Sequence, residues 1–160
     1  MRVLSGTLFA AYLFVLLWLV LFKFSYDPFA VIRDFQMRSL NLIPFERTHN
    51  GEMISNIVAF IPFGVMLGVN FKQVCFLYQI AVIFAFSLAA EIIQFALAIG
   101  VTDITDIIMN TLGGFAGLAA YTALTRHTND RYLDGGILVI GTLILVTILY
   151  LRTFVFVVRY

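Results

Sequence analysis

Long apolar runs broken by short polar clusters dominate the chain. Five stretches reach the length of roughly 20 residues that a helix needs to cross a bilayer: residues 4–22, 53–71, 74–99, 104–124 and 135–158. The first follows Met1 and Arg2. Its apolar core is longer than the corresponding region of a signal peptide, and Lys23, Phe24, Ser25, Tyr26 and Asp27 follow in place of a small-residue cleavage site. It is expected to stay as an anchor. Residues 28–52 differ in character. They mix Arg33, Asp34, Arg38, Glu46, Arg47, His49 and Glu52 with Phe29, Val31, Ile32, Phe35, Met37, Leu40 and Ile43. That mixture predicts an amphipathic segment lying in the membrane interface, with a turn at Pro44. The turns near residues 71–73 and 100–102 are tight, and 125–134 is a polar loop. The predicted fold is an all-α, polytopic membrane helix bundle with about five transmembrane helices and an interfacial segment after the first. Residues 1–160 are read as a single domain.

Composition supports the membrane reading. Hydrophobic residues make up 62% of the chain and charged residues 12%, with a mean hydropathy of +1.00. A soluble domain carries about 25% charged residues. The net charge of +1 leaves no electrostatic footprint for nucleic acid, so the lipid bilayer is the expected partner. The single cysteine, Cys75, excludes an internal disulfide and reads as a small core hydrophobe, not a reactive thiol. Basic residues in short loops orient membrane proteins. Arg2, Lys72, Arg126 and Arg131 favour a cytoplasmic N-terminus, against Lys23, Arg33, Arg38 and Arg47 in the long connection. The expected localisation is the cell membrane, with the N-terminus inside and the C-terminus outside.

Polar side chains within hydrocarbon are costly and each needs a reason. Glu91 and Gln94 share a helix face near the end of the third span. Asn56 lies one turn into the second. Asp103 and Asp106 open the fourth, and Asn110 follows a turn deeper. The second span starts at the side of the long connection, the third returns to it and the fourth leaves from it. All six residues therefore fall in one leaflet, whichever side is cytoplasmic. Asn41, Arg47, His49 and Glu52 fall on that side too. Bland readings exist for most of them. Asp103 suits a helix N-cap, with Thr102 as its rival. Asn56, Asn110 and Gln94 suit interhelical hydrogen bonds, and His49 suits the surface. Glu91 is the hardest to explain structurally, because an intramembrane carboxylate is by default a functional candidate. Gly64 with Gly68 and Gly113 with Gly117 are spaced for close helix approach, within the chain rather than between copies. Pro62 predicts a kink or a broken ladder in the second span.

The ordered set NLIPF (41–45), NIVAFIPFG (56–64), EIIQ (91–94) and DITDIIMNTLGGFAG (103–117) resembles the VanZ-like family of membrane proteins. The likeness covers about residues 40–120. It departs at FALAIGVT (95–102), where many members carry an arginine. Arg47 or the amino end of the fourth helix would have to substitute. The family is named for a protein linked to teicoplanin resistance in Gram-positive bacteria. The resemblance implies action on lipid headgroups or lipid-linked cell-envelope intermediates, phospholipid or polyprenyl-linked.

Under an enzymatic reading, Glu91 and Asp106 are the catalytic candidates, as acid, base or metal ligand. Asn56, Gln94, Asn110, Asp103 and Arg47 are the candidate substrate contacts. The candidate ligands are oxygens, which suit a hard divalent cation, but no carboxylate motif demands one and the residues specify no cofactor. The alternatives are a protein that holds or moves a lipid or drug without chemistry, and a scaffold whose polar residues only join helices. The second leaflet looks dry, which disfavours a channel. The sequence does not specify the oligomeric state.

Overall fold

Large apolar side chains such as Leu77, Tyr78, Val139 and Leu143 point away from the bundle, as they do when hydrocarbon is the solvent. The computed structural model describes residues 2–22, 39–46, 49–99 and 101–150. They form α1 (Arg2–Leu21), β1 (Ser39–Asn41), α2 (Asn50–Asn70), α3 (Phe76–Leu97), β2 (Val101–Asp103), α4 (Ile104–Thr125) and α5 (Asp130–Tyr150). Helices α1 to α4 are each long and apolar enough to cross a membrane. The molecule is a multi-pass, all-α membrane bundle. The fifth expected helix is present as α5 but begins at Asp130, before the apolar run. Its expected continuation, 151–158, lies outside the described residues, as do 28–38 of the expected interfacial segment and Arg47.

The centre of the bundle is a backbone-to-backbone seam between α2 and α4. A Cβ built on Gly64 would stand 1.9 Å from the Gly114 carbonyl oxygen. One on Gly113 would meet the Ile57 carbonyl at 2.2 Å, and one on Gly117 the Ile61 carbonyl at 2.0 Å. Only hydrogen fits at these distances, so both expected glycine pairs take part in packing within the chain. Pro62 lies inside α2, which runs unbroken from Asn50 to Asn70. Beside the seam, Leu16, Phe60, Phe63, Leu67 and Ile83 form the buried apolar core. Phe60 and Phe63 meet edge to face at 5.9 Å, and Phe63 leans on Phe86 at 5.1 Å, arrangements that aromatic rings favour. The Tyr12 hydroxyl of α1 donates to the Ala59 carbonyl, in the turn preceding Pro62.

Two short parallel strands close one end of the bundle. β1 pairs with β2 in the register Ser39 with Val101, Leu40 with Thr102 and Asn41 with Asp103. This bridge ties the long first connection to the turn between α3 and α4. That turn reverses at Ala98, whose φ of 53° is left-handed. The Ala98 N–H donates to the Phe95 carbonyl and the Ile99 N–H to the Gln94 carbonyl, satisfying the last carbonyls of α3.

Candidate functional site

At the end closed by β1 and β2, polar side chains from five elements meet, as the connectivity requires. Two groups separate by geometry. The first is a closed lattice around the start of α4. Asp103 is the N-cap: its Oδ1 accepts from the Thr105 N–H at 2.8 Å, the bond a capping acid makes. Its Oδ2 accepts from Asn41 Nδ2 at 2.9 Å. The Asp103 N–H in turn donates to Glu91 Oε2 at 3.1 Å. The Thr102 hydroxyl donates to the Glu91 carbonyl at 3.3 Å, so Thr102 is not the cap. The Thr105 hydroxyl receives the Phe45 N–H at 3.0 Å. Glu91 is 1% exposed and Asp103 5%. The lattice joins β1, β2, α3 and the start of α4.

The second group lines a cavity of about 270 Å³ between α1, α2 and α4. Asn56, Asp106 and Asn110 contribute to its wall together with Glu52, Ser55, Leu19 and Val20. Asn56 Nδ2 donates to Asp106 Oδ1 at 2.7 Å across the helix seam. Asn110 Nδ2 lies 2.9 Å from Ser87 Oγ on α3. Helical spacing explains the convergence: 52 and 56 share one face of α2, and 106 and 110 share one face of α4. The glycine seam then brings the two faces together.

Gln94 and Glu91 stand apart from this cavity wall. Gln94 turns toward α1, where its Nε2 donates to the Val20 carbonyl at 2.9 Å and the Leu21 carbonyl at 3.4 Å. It thereby serves the unpaired carbonyl end of another helix, the interhelical role read for it from sequence. Glu91 sits in the lattice beside the cap. Both remain at the depth the topology assigns them. Arg47 lies outside the described residues. Among the described residues, no cluster of three or more histidine, cysteine or acidic side chains is arranged to hold a metal ion.

The opposite end also carries polar contacts. Lys72, in the turn after α2, reaches Asp130 at 2.9 Å and Asp134 at 2.7 Å on α5. The Tyr121 hydroxyl donates to Asp134 at 2.9 Å. Partial desolvation pulls the Lys72 pKa down, but hydrogen bonds to Asp134 and Asp130 outweigh it and hold the ammonium above the usual lysine range. Gln79 Nε2 donates to the Phe71 and Val74 carbonyls. Cys75, expected in the core, is instead exposed at the N-terminal end of α3.

Residues 9–125 match the VanZ/LLP1 family model. The chain belongs to the VanZ/LLP1 family. It is also 50% identical over 153 residues to Protein VanZ of Enterococcus faecium, a match covering 95% of this chain and 94% of that protein. No solved structure matches significantly. The family segment holds every residue of the cavity wall and of the lattice around Glu91, and it ends with α4, so α5 lies beyond it.

Sequence reading put Glu52 at this end without making it a site candidate, and it missed Ser55, Thr105 and Ser87. Signals for two of them were present. Glu52 precedes Asn56 by one helical turn, and Ser87, Glu91 and Gln94 follow i, i+4, i+7 spacing on α3. Thr105 carries no such mark, because its role depends on where the chain near Phe45 returns.

Proposed function

We propose that this VanZ/LLP1-family protein acts in the bacterial cytoplasmic membrane on a lipid headgroup or a lipid-linked cell-envelope intermediate, held by the polar end of its bundle. The observation that supports this is the cavity with Asn56, Asp106 and Asn110 on one wall, at the end of helices that are otherwise apolar. A headgroup is a polar group presented at that depth on an apolar tail. Asp106 is the proton-transferring group of this reading, since it lines the cavity. Asn56 orients its carboxylate. Glu91 is a positioning residue, acting through the Asp103 N–H on the start of α4. The family's named association with teicoplanin resistance extends to this chain under the same proposal, and residues 1–160 act as one domain.

The test is headgroup turnover by the purified full chain in liposomes, followed by mass spectrometry of the lipids. Asp106→Asn keeps an acceptor for Asn56 and removes the titrating group. It should lower kcat by at least about a hundredfold, the scale of a lost acid or base, with KM little changed. Glu91→Gln keeps an acceptor for the Asp103 N–H and should retain most activity, whereas Glu91→Ala should not. Full turnover by Asp106→Asn would remove it from the chemistry.

A second reading, binding without chemistry, is favoured by the state of Glu91. The carboxylate most enclosed by protein spends Oε2 on a backbone N–H, as a structural brace does. Lipid co-purifying unchanged, with no turnover of any lipid class, would establish it.

A further inference from the structure

The segment that follows β1 turns its apolar side chains outward. Along β1, Asn41 faces inward, buried and bonded to Asp103. Leu40, on the opposite face, is exposed, as strand alternation requires. Leu42 and Ile43 follow, also exposed, and Phe45 is 54% exposed. Over residues 39–46 the expected interfacial segment is thus a strand and a turn, not an amphipathic helix. In the turn, the Glu46 N–H donates to the Ile43 carbonyl at 3.5 Å, with Pro44 and Phe45 between them. Phe45 has a φ of 66°. Proline followed by a left-handed residue is the type II pattern, whose third position favours glycine or asparagine. A bulky aromatic there strains the backbone, and such strain persists only where the surroundings offset it. The Phe45 N–H donates to the Thr105 hydroxyl at 3.0 Å and the Ile43 N–H to Asn41 Oδ1 at 3.2 Å. Both bonds hold the backbone and neither needs the ring. With more than half of Phe45 exposed, its ring finds apolar surroundings outside the bundle.

We infer that residues 40–45 form an apolar lip that inserts Leu40, Leu42, Ile43 and Phe45 into the acyl boundary of the leaflet on this side. Exposed apolar patches mark contacts with protein or membrane, and continuity points to the membrane here. Ile54, near the start of α2, and Leu97, the last residue of α3, are exposed as well. The lipid-facing surface of both helices therefore reaches the end where the lip is attached, and the lip extends it. Insertion is shallow, because irregular backbone does not enter hydrocarbon with its polar groups unmet. The N–H groups of Ile43, Phe45 and Glu46 are all met within the protein. The lip is fixed to the start of α4 by the Asn41–Asp103 and Phe45–Thr105 bonds, and Thr105 directly precedes Asp106. Its insertion thus sets the depth of Asp106 below the headgroups, whatever chemistry takes place there.

The experiment places one nitroxide at a time by Leu42→Cys, Ile43→Cys or Phe45→Cys, in the full chain carrying Cys75→Ser. The protein is reconstituted in liposomes of phosphatidylglycerol and phosphatidylcholine. Electron paramagnetic resonance then compares collisions with oxygen, which concentrates in the bilayer, and with a water-soluble nickel chelate. Labels at the exposed Gln73 in the turn before α3 and the exposed Phe84 within α3 serve as aqueous and hydrocarbon references. Lip labels should lie about 5–10 Å into the headgroup and acyl boundary, with nickel collisions at least about threefold below those at Gln73. Nickel collisions equal to those at Gln73 would overturn the inference. So would labels shielded from both reagents, since protein would then cover the lip. Phe45→Asn tests it without a label. Asparagine suits the left-handed turn, so a ring facing water would make this variant more stable. An inserted ring makes it less stable, and its melting temperature in the same liposomes should fall by at least about 2 °C. An unchanged or higher value would overturn the inference.

Discussion

Asn56 on α2 and Asp106 on α4 are joined by a 2.7 Å hydrogen bond although 50 residues separate them in the chain. The bond crosses the glycine seam, so it reports on helix register as well as on the cavity wall. Polar pairs between membrane helices contribute on the order of 1 kcal/mol. A double-mutant cycle with Asn56→Ala and Asp106→Ala, read by unfolding in detergent, should give a coupling of about that size. Additive effects would mean that the two side chains do not meet in the membrane.

The seam itself gives a sharper contrast. Gly113→Ala and Gly117→Ala each place a methyl group about 2 Å from a carbonyl oxygen, and the obstacle is backbone, which cannot rotate away. Each should destabilise the bundle by about 2 kcal/mol or more, at the upper end of overpacking costs. Gly6, with nothing within 4 Å of a built Cβ, is the control. Gly6→Ala should be neutral or stabilise α1 by up to about 1 kcal/mol. Thermal unfolding of the three variants tests the difference.

Ala98 occupies the left-handed region at the end of α3. An L-residue there costs roughly 1 kcal/mol relative to glycine. Ala98→Gly should therefore raise the melting temperature, less the small entropy cost of glycine in the unfolded chain. A lower melting temperature would show that the Ala98 methyl group packs usefully in the turn.

Lys72 holds α5 through Asp130 and Asp134. Its pKa is raised on folding, so its stabilising contribution is complete below the unfolded lysine pKa of about 10.4 and fades as pH rises through the higher folded value. The attachment of α5 should be insensitive to pH between about 6 and 9 and loosen only in strong alkali. The groups are partly exposed, so the contribution is small, about 1 kcal/mol or less, and weakens with salt. Lys72→Met should speed hydrogen exchange in the first turns of α5 at neutral pH. A marked change in wild-type exchange between pH 6 and 9 would contradict this sign.

Much of this arrangement was legible in the sequence. Apolar length alone gave α1 to α4 within a few residues, and connectivity alone brought Asn56, Glu91, Gln94, Asp103, Asp106 and Asn110 to one end. What length and spacing do not encode is which partner each side chain finds. Gln94 meets backbone carbonyls of α1, which leave no residue-specific signature. The β1–β2 bridge spans three residues per strand, too few for a period-two pattern to register. The start of α5 was hidden because Asp130, Arg131 and Asp134 look like loop residues until Lys72 is seen to pair with two of them.

The glycine seam has one more consequence. With carbonyl oxygens of α2 resting where side chains of α4 would otherwise stand, the two helices have little freedom to slide or roll against each other. They form a single rigid jaw carrying Glu52, Ser55, Asn56, Asp106 and Asn110. The remaining side of the cavity is the end of α1, held to α3 by the Gln94 carboxamide. Widening the space means moving the end of α1, which Gln94 ties to α3 and Tyr12 and Leu16, further along the same helix, tie to α2.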